Sequence, residues 1–323
     1  MKKLLLLALR ITRSLPYRIR GLGIRLLKLT PLYPRIGSLI QYAPRPLTQS
    51  PLPIPLASAA WPGIAIVTPS YNQGSFIART LDSVLQQNYP QLDYFVQDGG
   101  SNDNTVTVLE TYSPRLSGWR SAKDDGQSQA INLGFAHTQG EIMAWLNSDD
   151  LLLPGALARV ADYFARHPEV DVVYGDRLLI DENDQEIGRW LLPGHDGPAL
   201  SWADYVPQET LFWRRRLWDS VGGRIDESFR FAMDWDLLLR FRDAGARFAH
   251  LPFFLGAFRI HTQQKTSAQI QSVGIEEMNR LRARVLGRVP HPEEVRRALL
   301  PFVLRHVRAD LSYRLRKCFS ASS

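Results

Sequence analysis

Several apolar runs in this chain end in acids, and the chemistry open to it starts there. Between Glu141 and Pro154, in EIMAWLNSDDLLLP, an apolar run stops abruptly at Asn147, Ser148, Asp149 and Asp150. A buried strand ending this way delivers adjacent carboxylates to its C-terminal edge. In open α/β sheets ligands bind at that edge, where carboxylates suit a hard cation or a charged substrate. The same residues also fit a plain turn begun by Asp150, with a helix capped at Pro154. A second run, Leu92 to Asp98, ends in Asp98-Gly99-Gly100-Ser101. A carboxylate only accepts hydrogen bonds, so Asp98 suits a ring N–H or a ribose hydroxyl. After the first strand, where a dinucleotide-binding fold carries G-x-G-x-x-G, the chain reads Thr68-Pro69-Ser70-Tyr71-Asn72-Gln73-Gly74. Bound phosphates would then need another counter-charge, and a cation held by carboxylate supplies one.

The elements that must position these acids alternate. Ile64 to Ser70 reads as a β-branched strand, and Phe76, Ile77, Leu81, Val84 and Leu85 mark one face of a helix over Gly74 to Gln87. Leu92 to Asp98 is the next strand, with a helix opening after Asn102 or Asp103. A helix over Gln127 to Thr138 leads to the strand Glu141 to Asn147. Strand and helix in repetition imply right-handed crossovers and a mainly parallel twisted sheet. Further on, Gly155 to Arg166 reads as helix, and Val170 to Gly175 and Glu186 to Leu192 as strands. Pro207 to Trp213 reads as strand, Arg214 to Val221 and Asp234 to Ala244 as helices. Arg247 to Leu251 and Phe254 to Phe258 read as closing strands. The expected domains are a basic, Pro-rich extension over residues 1–62, an α/β domain over 63–266 and a basic helical extension over 267–323.

Charge is segregated along the 323 residues. Residues 1–46 hold ten Lys or Arg and no acid; residues 280–323 hold eleven against three acids, or +8. The net charge of +7 leaves 7 − 10 − 8 = −11 for the middle. An acidic body with basic ends argues against a nucleic-acid partner and suits an anionic membrane surface met through the ends. Leu4, Leu5, Leu9, Ile11 and Leu15 with interleaved Arg read as an amphipathic surface helix or as a basic tail. The run Leu4 to Leu9 is too short for a signal-peptide core or a membrane span. The single cysteine, Cys318, excludes a disulfide framework and a Cys-based zinc site.

Four motifs in order, Thr68-Pro69-Ser70-Tyr71-Asn72, Gln97-Asp98-Gly99-Gly100-Ser101-Asn102-Asp103, Trp145-Leu146-Asn147-Ser148-Asp149-Asp150 and Met233-Asp234-Trp235-Asp236-Leu237, resemble the family 2 glycosyltransferases of the GT-A fold. The resemblance covers about residues 63–266. It implies that Thr68, Pro69 and Tyr71 wall the nucleotide base and that Asp98 binds the base or its ribose. Asp124 matches a second nucleotide-side acid, and Asn132 a polar contact near the ribose or sugar. Ser148 falls with Asp149 on the nucleotide-sugar side. Asp149 matches the last acid of the D-x-D motif, which coordinates Mn²⁺ or Mg²⁺ on the diphosphate. Asp234 matches the general base, and His261 and Lys265 the group that closes on metal or diphosphate. Two positions depart from the pattern: Asn147 stands where D-x-D has its first acid, and Met233 where the family often has Glu. Gln208 and Glu209 are acceptor-side candidates. Asp234 doubles as an N-cap candidate, and Asp236 is expected to pair with Arg240 at i+4.

The implied reaction is one inverting displacement. An acceptor hydroxyl is activated by Asp234, and the leaving nucleoside diphosphate is neutralised by the metal. The donor is a nucleotide-diphosphate sugar, UDP-linked by preference, and the acceptor a glycan or lipid-linked sugar in cell-surface polysaccharide or lipopolysaccharide assembly. The expected location is the cytoplasmic face of the cell membrane. Two rivals stand beside this reading. A nucleotidyltransferase would release pyrophosphate, and a non-catalytic relative would bind membrane or glycan only.

Overall fold

β1 (Ile64–Ser70), which opens on the apolar run Ile64 to Val67, is buried along its whole length, as a strand covered on both faces must be. The computed structural model describes residues 37–47, 53–58, 60–262 and 273–320; the stretch Leu4 to Leu15 and Lys265 lie outside them. β1 pairs in parallel with β2 (Leu92–Asp98) on one side and β4 (Ile142–Trp145) on the other, and β2 with β3 (Gly118–Ser121). The connecting helices are α1 (Ile77–Leu85), α2 (Thr105–Tyr112) and α3 (Gln127–Phe135). α1 buries Ile77, Thr80, Leu81, Val84 and Leu85 on one face. α3 lies so close to β1 that a Cβ on Gly134 would stand 2.4 Å from Val67 Cγ1, and only glycine permits that approach.

Beyond β4 the sheet becomes mixed. β5 (Leu151–Leu152) and α4 (Ala156–Arg166) lead to β6 (Val172–Ile180), and a tight turn returns β7 (Glu186–Trp190) antiparallel to it. After α5 (Gly197–Leu200), the short β8 (Phe212–Arg214) pairs antiparallel with both β4 and β6. α6 (Arg215–Ser220) and α7 (Met233–Asp243) then lead to β9 (Phe248–Arg259), parallel to β6 and antiparallel to β5. The resulting order is β3-β2-β1-β4-β8-β6-β9-β5, with β7 on β6. The expected parallel sheet is therefore the β3 to β4 half and the β6/β9 pair. The other pairings are antiparallel because hairpins and short returns replace helical crossovers.

Three local readings change. Arg247 to Leu251 and Phe254 to Phe258 are one continuous strand, whose register with β6 shifts where Pro252 and Phe253 bulge out. Proline has no N–H for the ladder, which is why the pairing skips there. Pro207 to Trp213 is a 3₁₀ turn over Gln208–Thr210 followed by β8, and the short β3, β5 and α5 carry too little periodicity to be read. Helix α4 starts at Ala156 with Gly155 as its cap, so Asp150 belongs to the turn after Asn147 and caps no helix.

The C-terminal segment is joined to the body. Leu281 of α8 (Ile275–Leu286) and Phe302 of α9 (Pro292–Ser320) share one buried cluster with Trp213, Trp235 and Tyr205. Phe302 packs 4.5 Å from the Tyr205 ring, and His306 stacks on Trp190 at 6.1 Å. At the other end of the chain, Tyr42 and Arg45 reach Glu186 on β7. Burial alone would raise the Glu186 carboxyl, but hydrogen bonds from Arg189, Tyr42 and Arg45 outweigh it and hold the group at about 2.

Phe302→Ala should cost about 3–5 kcal/mol, the usual loss for a buried phenylalanine. Calorimetry should show one transition moved to lower temperature; a body midpoint left in place would mean that the tail unfolds independently.

Candidate active site

The loops after β1, β2, β3 and β4 meet the segments after β7 and before α7 around one open cleft of about 1190 Å³. At one end stand Pro69, Ser70, Tyr71, Gly99, Gly100, Lys123 and Asp124. Asp124 Oδ1 accepts from the Gly126 N–H at 3.0 Å, while its buried Oδ2 has no hydrogen-bond partner. Burial, with the charges of Asp98 and Asp125, pushes the Asp124 carboxyl above its ordinary value, although the Gly126 N–H opposes this. A buried acceptor without a donor calls for one from a ligand, such as a base N–H or a ribose hydroxyl. Glycine at position 99 makes room for it, since a Cβ there would stand 3.1 Å from both Asp124 oxygens.

Asp98 serves the same end from behind. Fully buried, it accepts from the N–H groups of Gly100 (3.1 Å) and Ser101 (2.9 Å) and the hydroxyls of Ser101 (2.5 Å) and Ser121 (2.6 Å). Its lone pairs are spent on shaping the Gly99 to Ser101 turn, and it is not among the residues lining the cleft. Thr68 is likewise buried and bonded to the Tyr94 hydroxyl at 2.9 Å. Asn132 ties α3 to a later loop, donating to Ile225 O (3.0 Å) and Glu227 Oε1 (2.8 Å) and accepting from Ile225 N (2.7 Å). Thr68, Asp98 and Asn132 thus stand outside the cleft lining, whereas Pro69, Tyr71 and Asp124 lie in it.

In the middle of the cleft the β4 strand end presents Asn147, Ser148, Asp149 and Asp150. Asp149 Oδ2 lies 3.0 Å from His261 Nε2, and the His261 ring packs 4.7 Å from Phe76. The fully buried Arg259 donates to the Asp149 carbonyl at 2.7 Å and to Asp181 O at 3.0 Å, and pairs with Asp184. Asp150 accepts from the Arg259 N–H at 3.0 Å, and burial, with the Asp149 and Glu209 charges, pushes its carboxyl well up. The Asn147 amide explains its own departure from D-x-D. It donates to Asp150 Oδ2 (3.3 Å) and Gln208 Oε1 (3.2 Å) and accepts from Gln127 (2.7 Å). An aspartate there would face two acceptors with no donor to offer them.

Asp149 and His261 form a pair, and among the described residues no cluster of three or more His, Cys, Asp or Glu could hold a metal ion. A single carboxylate fits a hard ion whose remaining ligands are phosphate oxygens and water, and the imidazole beside it orients that carboxylate. His261 is buried behind Asp149 and does not line the cleft.

At the far end, Asp234 and Asp204 line the cleft together and share a side-chain hydrogen bond. Asp234 is the second residue of α7, whose cap position falls on Ala232; the expected N-cap role does not apply. Burial first, then the Asp234 charge, pushes the Asp204 carboxyl well above its ordinary range, against the Val206 N–H and Arg177. Glu209 is buried and paired with Arg177, which lies over the Phe258 ring at 4.6 Å and the Trp190 ring at 5.6 Å. Gln208 donates to the Trp145 carbonyl at 2.8 Å. Both acceptor-side candidates therefore line the cleft with their polar groups already engaged. Trp213 and Trp218 are core residues. Asp236 pairs with Arg240 at 2.8 Å, as its i+4 spacing requires, and with Arg284 of α8 at 2.5 Å. Asp204, Arg177, Arg259 and Trp190 carry no motif; only their convergence in space marks them.

A nine-stranded α/β body with acids gathered over its strand ends is the architecture of the GT-A glycosyltransferases. The family model described as Glycosyl transferase family 2 matches residues 65–258, and the chain belongs to that family. A PGL/p-HBAD biosynthesis glycosyltransferase of Mycobacterium tuberculosis is 29% identical over 186 residues, 56% of this chain and 70% of that protein. Among solved structures, Staphylococcus aureus TarS 1-349 in complex with UDP-GlcNAc superposes with a TM-score of 0.58 at 19% identity, over 76% of this chain and 72% of that one. A longer TarS chain is covered over 43% of its length. The mannosyltransferase PcManGT of Pyrobaculum calidifontis, in complex with GDP-Man and Mn²⁺, gives 0.56 at 18% identity, over 84% and 80%. The chain is a glycosyltransferase.

A raised carboxyl destabilises the fold once it must ionise, so Asp204 contributes fully below the ordinary carboxylate range and loses that contribution as pH rises through its folded value. Asp204→Asn should therefore raise the unfolding temperature at pH 8, and the gain should vanish by about pH 4, near the ordinary carboxylate value. Thermal scans across pH check the sign.

Proposed function

We propose that this glycosyltransferase is an inverting enzyme that moves a sugar from a nucleoside-diphosphate sugar to a hydroxyl of a glycan or lipid-linked acceptor. The observation that carries the reading is that Asp124, Asp149 and Asp234, from three separate segments, line one cleft. Asp124, with its unpartnered Oδ2, takes the nucleotide; Asp149 takes the diphosphate region; Asp234 takes the acceptor hydroxyl. Pro69 and Tyr71 flank the base, and Ser148 lies beside the diphosphate.

Asp234 removes the acceptor proton as the oxygen attacks the anomeric carbon, and the C–O bond to the nucleoside diphosphate breaks in the same displacement. The electron pair leaves with the diphosphate, and the configuration inverts. Asp204, bonded to Asp234, keeps that carboxyl oriented. Asp149, its carboxylate oriented by His261 behind it, would hold Mn²⁺ or Mg²⁺, which when bound would neutralise charge on the leaving diphosphate. UDP is the preferred nucleotide; TarS bound to UDP-GlcNAc and PcManGT bound to GDP-Man and Mn²⁺ support a donor of this chemical class.

The setting we infer is cell-surface polysaccharide or lipopolysaccharide assembly at the cytoplasmic face of the membrane. Among the described residues no helix is long and apolar enough to cross a membrane. The basic ends support surface attachment, and α9 exposes Leu300, Val303 and Leu304 among Arg296, Arg297, Arg305 and Arg308.

A panel of UDP-, GDP- and dTDP-sugars with Mn²⁺ or Mg²⁺ should yield nucleoside diphosphate, and Asp234→Asn should slow its release about 100- to 10,000-fold. Release of pyrophosphate, or full activity in that variant, overturns the reading. Deleting residues 1–46 should weaken binding to phosphatidylserine vesicles, and added salt should weaken the binding of the intact chain; equal binding removes the N-terminal anchor.

A further inference from the structure

The segment that leads into α7 has an unusual anchor. The Glu277 side chain, on α8, accepts from three successive backbone N–H groups: Arg230 at 2.8 Å, Phe231 at 2.8 Å and Ala232 at 2.9 Å. Consecutive N–H groups converging on one carboxylate form an anion nest, and each bond is strengthened by the charge. Nothing local replaces it, because Ala232, at the cap position of α7, offers no side-chain acceptor. Glu277 is itself buried, and its carboxylate satisfies the three donors, of which the Ala232 N–H is buried with it.

This nest lies directly behind the chemistry. Arg230, Phe231 and Ala232 line the cleft, and Asp234 follows two residues after Ala232. The neighbour of Glu277, Met278, lines the cleft as well. The Phe231 ring lies against Gly274, where a Cβ would stand 3.1 Å from it. The same helix holds the two acid-bearing segments elsewhere. Arg284 pairs with Asp236 at 2.5 Å, and Arg282 donates to the Trp202 carbonyl at 2.9 Å, two residues before Asp204. α8 therefore grips both segments that carry the paired acids, from outside residues 65–258 that match the family.

We propose that Glu277 is a positioning residue for sugar transfer: by gathering the N–H groups of Arg230, Phe231 and Ala232 it fixes the acceptor-side wall and aims Asp234 at the attacking hydroxyl. This rests on the reading of Asp234 as the base. The carboxylate touches no substrate and acts through the backbone that carries Asp234. A base must be held within a fraction of an ångström of its working position, so loosening the nest lowers turnover and leaves nucleotide affinity alone.

The test compares Glu277→Gln, which keeps one neutral acceptor oxygen, with Glu277→Ala, which keeps none. Turnover of the best donor from a panel of UDP-, GDP- and dTDP-hexoses should fall about tenfold in the first and about 100-fold in the second, with donor KM unchanged. Binding of UDP and GDP with Mn²⁺ should stay within about twofold, and amide exchange over residues 229–237 should accelerate in the same order. Should the alanine variant not fold, the glutamine variant carries the comparison. Wild-type turnover in both variants, with Asp234→Asn inactive, overturns the proposal alone. So does parallel loss of nucleotide binding and turnover, which a merely structural role produces. If Asp234→Asn is active the base assignment fails instead, and unchanged amide exchange in the Glu277 variants then overturns the anchoring as well.

Discussion

Crowding carboxylates at one edge of a sheet is the constraint on which this structure depends. Asp98, Asp149, Asp150 and Glu209 are buried or nearly so around one cleft, and a buried charge is tolerated only when donors answer it. The donors come from every layer. Gly100, Ser101 and Ser121 surround Asp98; Arg259 reaches the Asp149 carbonyl and the Asp150 carboxyl; Arg177 takes Glu209. Asn147 belongs to the same arrangement, because its amide separates acceptors that a second aspartate would set against each other.

One acid at the cleft is left incompletely answered. Asp124 keeps a buried oxygen without a partner. Asp234 and Asp204 line the cleft together, and burial, with the Asp234 charge, holds the Asp204 carboxyl well above the ordinary carboxylate range. A protein interior rarely leaves polar atoms unpaired without a use for them. The mixed half of the sheet serves the same end: β6 and β9 bring Arg177, Arg259 and His261 to the acids that the parallel half delivers.

The C-terminal helices change how the domain is understood. As sequence, residues 267–323 read as a basic extension; as structure, Leu281 and Phe302 belong to the core, and Glu277, Arg282 and Arg284 hold the segments that carry Asp204, Asp234 and Asp236. Such contacts give no periodic signal, because each joins residues tens of positions apart through side chains that would look solvated on a lone helix.

By itself the sequence determined the strand and helix alternation from Ile64 to Trp145, the acids at the strand ends and the family those motifs resemble. All of these follow from local periodicity and short contiguous motifs, which need no knowledge of distant contacts. Tertiary structure alone decided which acids face the cleft. Asp98 and Thr68, motif residues both, turn inward to build its walls, while Asp204, in no motif, meets Asp234 across it. A motif records which residue types a site requires, but burial and partnership depend on where the chain returns. Here Arg177, Arg259 and Glu277 arrive from far along the chain to answer charges that the local sequence leaves open.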